Sequence, residues 1–96
     1  MKLRFLSVAL DELRQAAEFY ESKDRGLGLK FLEEVEESLA RVVRNPNAWA
    51  LLSARTRRCR TRHFPYGIIY QVREDEILVV SVMNLYKYPE SWKRNL

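Results

Sequence analysis

Residues 57–72 read RRCRTRHFPYGIIYQV, and residues 77–83 read ILVVSVM. In the first stretch an arginine falls at every second position (Arg58, Arg60, Arg62), and Phe64-Pro65-Tyr66-Gly67 then marks a turn. Period-two alternation predicts a strand over Arg57–His63, with the three guanidiniums on one face and about 6.7 Å between neighbours. Cys59 then falls on the opposite, core-facing side. Gly67–Arg73 is predicted as an apolar strand, Glu74-Asp75-Glu76 as a charged turn, and 77–83 as a third strand. A run apolar on both faces is a central strand, covered on at least one side by helices.

The helices lie upstream. Lys2–Leu6 reads as a short strand, followed by a helix that Ser7 can cap. In that helix Leu10, Leu13, Ala17 and Tyr20 recur at helical spacing, with Asp11, Glu12, Arg14, Gln15 and Glu18 on the other faces. Ser22–Gly28 is polar and holds two of the three glycines, so it is a turn. A second helix runs to about Arg44 with the stripe Leu32, Val35, Leu39 and Val42, and Asn45-Pro46 ends it. Trp49–Ala54 reads as an irregular connection, and Asn84–Leu96 as a polar, aromatic tail in which Pro89 can start a short helix. The order β-α-α-β-β-β predicts an α+β domain, a helical hairpin packed on a small twisted, mainly antiparallel sheet. It spans residues 1–96 as a single unit.

The chain has 96 residues and a net charge of +4. The charge is unevenly placed. Residues 1–49 hold eight Lys/Arg and nine Asp/Glu (8 − 9 = −1), and residues 50–96 hold nine and four (9 − 4 = +5). The basic half calls for an acidic partner, either a nucleic-acid backbone or an acidic peptide. No run of apolar residues is long enough to span a membrane. A signal peptide's apolar stretch is interrupted by Asp11 and Glu12, so the expected location is cytoplasmic. One cysteine and one histidine fit a reducing compartment and make a dedicated metal site unexpected. No cofactor and no small-molecule substrate are expected.

The other conspicuous residues have ordinary readings. His63 sits at a strand end and reads as a turn or packing residue. Tyr66 and Tyr70 read as packing residues. Glu33, Glu34, Glu36 and Glu37 read as one solvated helix face.

Four pieces in this order, ALDELRQAAEFYE, GLGLKFLEEVEESLARVVRNP, RRCRTRHFPYGIIYQV and a tail ending YPESWKRN, resemble the RelE/ParE superfamily of type II toxin–antitoxin toxins. The helical pieces look more like its ParE-like, plasmid-stabilisation branch. The resemblance implies a cytoplasmic toxin neutralised by a cognate antitoxin protein. Its target would be either DNA gyrase or the ribosome, where RelE-like members cut mRNA without metal.

In the cutting pattern Arg58 and Arg60 fall where two lysines stand. An expected basic residue is replaced by Gly67, an expected arginine falls at Leu85 with Lys87 nearest, an expected tyrosine falls at Trp92, and Asn84 stands where relatives carry a histidine. Arg58, Arg60 and Lys87 are thus the catalytic candidates implied by the resemblance. Arg57, Arg58, Arg60, Arg62, Tyr86, Lys87, Tyr88 and Trp92 form the expected nucleic-acid or antitoxin surface. A non-toxic nucleic-acid-binding or assembly module on the same fold is the alternative.

Overall fold

A computed structural model describes residues 1–87 and 89–96. The elements run β1 (Lys2–Phe5), α1 (Ser7–Lys23), α2 (Leu27–Arg44), β2 (Ala50–Leu51), β3 (Thr56–Arg60), β4 (Tyr66–Arg73), β5 (Glu76–Asn84) and a 3-10 turn (Ser91–Asn95). The five strands form one sheet in the order β1-β5-β4-β3-β2. β1 runs parallel to β5 and every other pair is antiparallel. β5 is an interior strand between β1 and β4, as its apolar run requires, buried from Ile77 to Met83.

Both helices cover one face of this sheet. Phe31, Val35 and Val42 of α2 meet Cys59, Ile68, Tyr70, Ile77, Val79 and Val82 of the strands in the main core. Full burial of a side chain such as Phe31 contributes about 1.5–3 kcal/mol, so this interface dominates the stability of the domain. Around Phe31, the rings of Tyr20, Phe64 and Tyr66 pack at centroid distances of 5.3, 5.2 and 5.0 Å. They close the end of the core beneath the β3–β4 turn.

The helices are rotated from the stripes their periodicity predicts. In α1 the fully buried residues are Ala9 and Ala16, with Leu13 and Tyr20 beside them, whereas Leu10 is 43% exposed. The Leu6 N–H donates to the Val79 carbonyl at 3.0 Å, which sets α1 close against β5 and favours alanine at the contact. Leu6 itself takes the cap position, and Ser7 is the first helical residue and makes no capping bond.

In α2 the buried row is Gly28, Phe31, Val35, Ser38 and Val42, and Leu32 is partly exposed. Gly28 explains the phase. A Cβ there would lie 2.6 Å from the Ala17 carbonyl oxygen, so glycine alone allows this approach of the two helices. The turn between them is shorter than predicted, Asp24 to Gly26. Gly26 has φ 87°, and its N–H and that of Gly28 both donate to the Glu21 carboxylate.

The connection over Trp49–Ala54 contains the two-residue strand β2, which pairs Leu51 with Arg57. β3 is correspondingly shorter than predicted. It ends at Arg60, because Thr61 leaves the ladder to close the turn: its hydroxyl donates to the Phe64 and Tyr66 carbonyls, and its N–H donates to the Tyr66 carbonyl at 2.9 Å.

Candidate functional site

Register places the arginines. Cys59 pairs with Ile68 on the helix side, fully buried as alternation requires, and Arg58 and Arg60 pair with Ile69 and Gly67 on the opposite face. Arg4 and Arg73 share that face through their partners in β5, with Arg4 opposite Leu78 and Arg73 opposite Glu76. Lys2 also lies opposite Glu76. The face turned away from the helices is therefore basic beyond the predicted ladder. Arg4 is taken up by Glu76 in a two-pronged pair at 3.0 and 2.9 Å, which holds the Glu76 carboxyl below its ordinary range.

Four of the expected surface residues, Arg57, Arg62, Trp92 and Lys87, lie elsewhere. Arg57 turns to the helix side, where its Nη1 donates to the Trp49 carbonyl at 2.7 Å. Its neighbour across the ladder, Tyr70, donates to the Pro46 carbonyl, and burial pushes the phenol up to about 12 against the lowering effect of the Arg57 charge. Together they staple the 46–49 loop to the sheet.

Arg62 lies past the end of the strand and leaves the ladder. Its Nε donates to Glu37 on α2 at 2.7 Å. Trp92 is 5% exposed and packs with Ile69, Met83 and Leu85, so the tail closes the open face with its indole instead of presenting it. The expectation for Tyr88 lies outside the described residues.

What the structure does bring together is Arg60 and Tyr86. The guanidinium Nη2 donates to the phenol oxygen at 2.9 Å and lies 5.6 Å from the ring centre. Tyr86 is brought back by Asn84, whose side-chain oxygen accepts the Tyr86 N–H at 2.9 Å, and by the Leu85 N–H, which donates to the Pro65 carbonyl at 2.8 Å. Gly67 has its own reason to lack a side chain. A Cβ would meet Leu85 Cδ2 at 2.9 Å and the Arg58 stem at 3.2 Å. Arg58 and the tail thus cross the sheet through space that a basic residue would fill. Lys87 lines a separate groove with Glu12, Gln15, Phe19 and Arg94, between α1 and the tail.

Two of the four carboxylates on the acidic face of α2, Glu34 and Glu37, are engaged, which corrects their reading as solvated, whereas Glu33 and Glu36 are exposed as expected. Glu34 accepts the backbone N–H groups of His63 and Phe64 and the His63 Nδ1–H at 2.8 Å. Burial raises the Glu34 carboxyl, but these donors outweigh it and hold the group below its ordinary value. His63 thereby serves the turn. The missed signal was spacing: Glu34 and Glu37 are one turn apart on α2, ready to accept from two consecutive residues of the turn, the Arg62 guanidinium and the His63 N–H groups.

Two helices on one face of a five-stranded mixed sheet, with a basic face turned away from them, make a small α+β fold. A solved structure described as "Chromosomal ParDE TA system from P. aeruginosa" shares it, with a TM-score of 0.74 and 19% identity over 88% of this chain and 95% of that one. The family model described as "ParE toxin of type II toxin-antitoxin system, parDE" matches residues 3–84, and this chain belongs to that family, within the RelE/ParE superfamily. No curated protein matches it. Among the described residues no helix is long and apolar enough to cross a membrane.

Proposed function

We propose that this protein arrests bacterial growth by binding DNA gyrase in the cytoplasm, and that a cognate antitoxin protein neutralises it. Family membership supports the toxin reading. One observation favours binding over cutting: the groups gathered at the arginine face are guanidiniums and one phenol. Metal-free RNA cleavage needs a group to take the ribose 2′-OH proton, and arginine holds its own proton too tightly to do so. The single histidine is engaged by Glu34 at the turn. Arg58 and Arg60 then act as fixed positive charges toward the target or toward the acidic part of the antitoxin.

Ribosome-associated mRNA cleavage is the second reading, and Tyr86 favours it. Arg60 donates to the phenol oxygen, which leaves the phenol's own proton free for a leaving oxygen. The test is induced expression with and without the antitoxin, followed by a supercoiling assay on purified gyrase and by mapping of mRNA ends. Growth arrest with lost supercoiling and intact mRNA is the expected result. Arrest with new mRNA ends would select the second reading, and harmless high-level expression would leave a non-toxic binding module on this fold.

A further inference from the structure

At the far end of β3 and β4 from Tyr86 the sheet opens into a groove of about 690 Å³, lined by Arg55, Arg57, Arg73, Asn47, Gln71 and Glu74 among others. We propose that this groove is a second anion site, built for phosphate oxyanions, at the opposite strand ends from the Arg58–Arg60 pair, whose face it reaches through Gln71 and Arg73.

Charge is the first argument. Three guanidiniums face one carboxylate, Glu74, and among the described residues none of the three has a carboxylate oxygen within 4.0 Å. Gathering like charges costs free energy that an ordinary surface avoids by mixing signs.

Orientation is the second. Arg73 directs Nε and Nη2 onto the Gln71 side-chain oxygen at 3.3 and 2.9 Å, and the Gln71 amide donates to the Thr56 hydroxyl at 3.0 Å. Gln71 and Thr56 are themselves buried, at 8% and 1% exposure, so the guanidinium is held by a packed network. Arg57 is held by the Trp49 carbonyl. Both anchors are neutral. They fix the guanidinium without cancelling its charge, and a guanidinium has more N–H donors than these bonds use.

The geometry selects the ligand. A planar carboxylate is satisfied by one guanidinium fork, whereas a tetrahedral phosphate presents oxygens in several directions. Here the guanidiniums come from the connection before β3 (Arg55), from β3 (Arg57) and from the end of β4 (Arg73), and the amides of Asn47 and Gln71 line the same groove. The groove is also large enough for a nucleotide. The span from Arg55 to Arg60 is about 17 Å along an extended chain, so a nucleic-acid strand can reach both sites.

The test uses the full-length protein and three probes: inorganic phosphate, AMP, and an oligothymidylate of about eight nucleotides. Arginine Nε–H resonances are followed by NMR, and oligonucleotide affinity is followed by anisotropy at several salt concentrations. Shifts of the Arg55 and Arg73 resonances are expected. With AMP as well as the strand they assign the site to phosphate esters generally, and with the strand alone to phosphodiesters. No shift with any probe overturns the proposal.

Arg55→Gln with Arg73→Gln should weaken oligonucleotide binding about tenfold and reduce the log–log salt slope by about 1.4. Arg25→Gln with Lys30→Gln removes the same charge near the start of α2 and should weaken it less than twofold, a limit set by screening. Equal loss in the two doubles would reduce the groove to a general charge effect and overturn it. The tenfold loss should persist in an Arg58→Gln, Arg60→Gln background, and its disappearance there would refute a separate site. Tighter binding of a glutamate peptide of matched charge would refute phosphate selection. None of these readouts depends on growth arrest, so the groove and the toxin reading fail separately.

Discussion

Arg62 and Arg60 lie two residues apart on one basic segment, yet their surroundings are opposite. Arg62 meets the Glu37 carboxylate at 2.7 Å, and beside it His63 meets Glu34. Arg60 meets a neutral phenol, Arg57 a backbone carbonyl and Arg73 a side-chain amide. All are oriented by hydrogen bonds, but among the described residues only the Arg62 guanidinium of these four meets a carboxylate. The turn end of the segment spends its charge inside the molecule, joining the sheet to α2. The strand and the groove keep theirs for something outside. A run of arginines in a sequence is therefore two things in this fold, a clasp and a binding surface, and the nearest carboxylate separates them.

The comparison can be tested from its foundation outward. Phe31→Ala removes the ring on which the aromatic cluster under the turn is built, and should cost about 3–5 kcal/mol in denaturant unfolding. A loss under about 1 kcal/mol would mean that the clasp, not the core, positions the turn.

Glu34→Ala strips the acceptor from two backbone N–H groups and the imidazole. It should cost about 1–3 kcal/mol, with the His63 and Phe64 amides losing protection in hydrogen exchange. Glu34 also sets a pH dependence. Its carboxyl is held below its unfolded value, so its stabilisation is complete above the usual carboxylate range near 4.5 and is lost as pH falls through the lowered folded value. Unfolding curves of the wild type and of Glu34→Ala should converge in acid, and parallel curves would remove Glu34 from the clasp.

Arg62→Gln breaks a pair whose side chains are both about half exposed, so less than about 1 kcal/mol should be lost, and growth arrest should survive. Smallest in stability is Arg58→Gln with Arg60→Gln, within about 0.5 kcal/mol of wild type, because among the described residues neither guanidinium has an internal carboxylate to lose. Growth arrest should nevertheless disappear. If Arg62→Gln abolished arrest and this double variant did not, the division between clasp and surface would be reversed.

Much of this was legible in the chain. The run ILVVSVM could only be a central strand, Asn45-Pro46 had to end α2, and alternation placed Cys59 in the core opposite Arg58 and Arg60. Those readings rest on local periodicity and backbone chemistry, which neighbours in sequence determine. The same logic failed where two elements had to fit each other. Leu10 and Leu32 have the spacing of buried residues, but Ala9 and Phe31 are buried instead, because the close approach at Gly28 and at β5 sets each helix's rotation. Gly67 looked like a missing cation and is a gap kept for Leu85 and Arg58. Trp92 was expected on the binding surface and is core.

By itself, then, the sequence determined the order of elements, the basic C-terminal half and the family to which the chain belongs. Each follows from patterns that a few adjacent residues carry. Tertiary structure alone decided which arginines are free. Glu37 is twenty-five residues from Arg62 and Gln71 is fifteen from Thr56, and only the folding of α2 over the sheet and the pairing of β3 with β4 bring them together. Charge is written locally, but its neutralisation is a contact made across the fold.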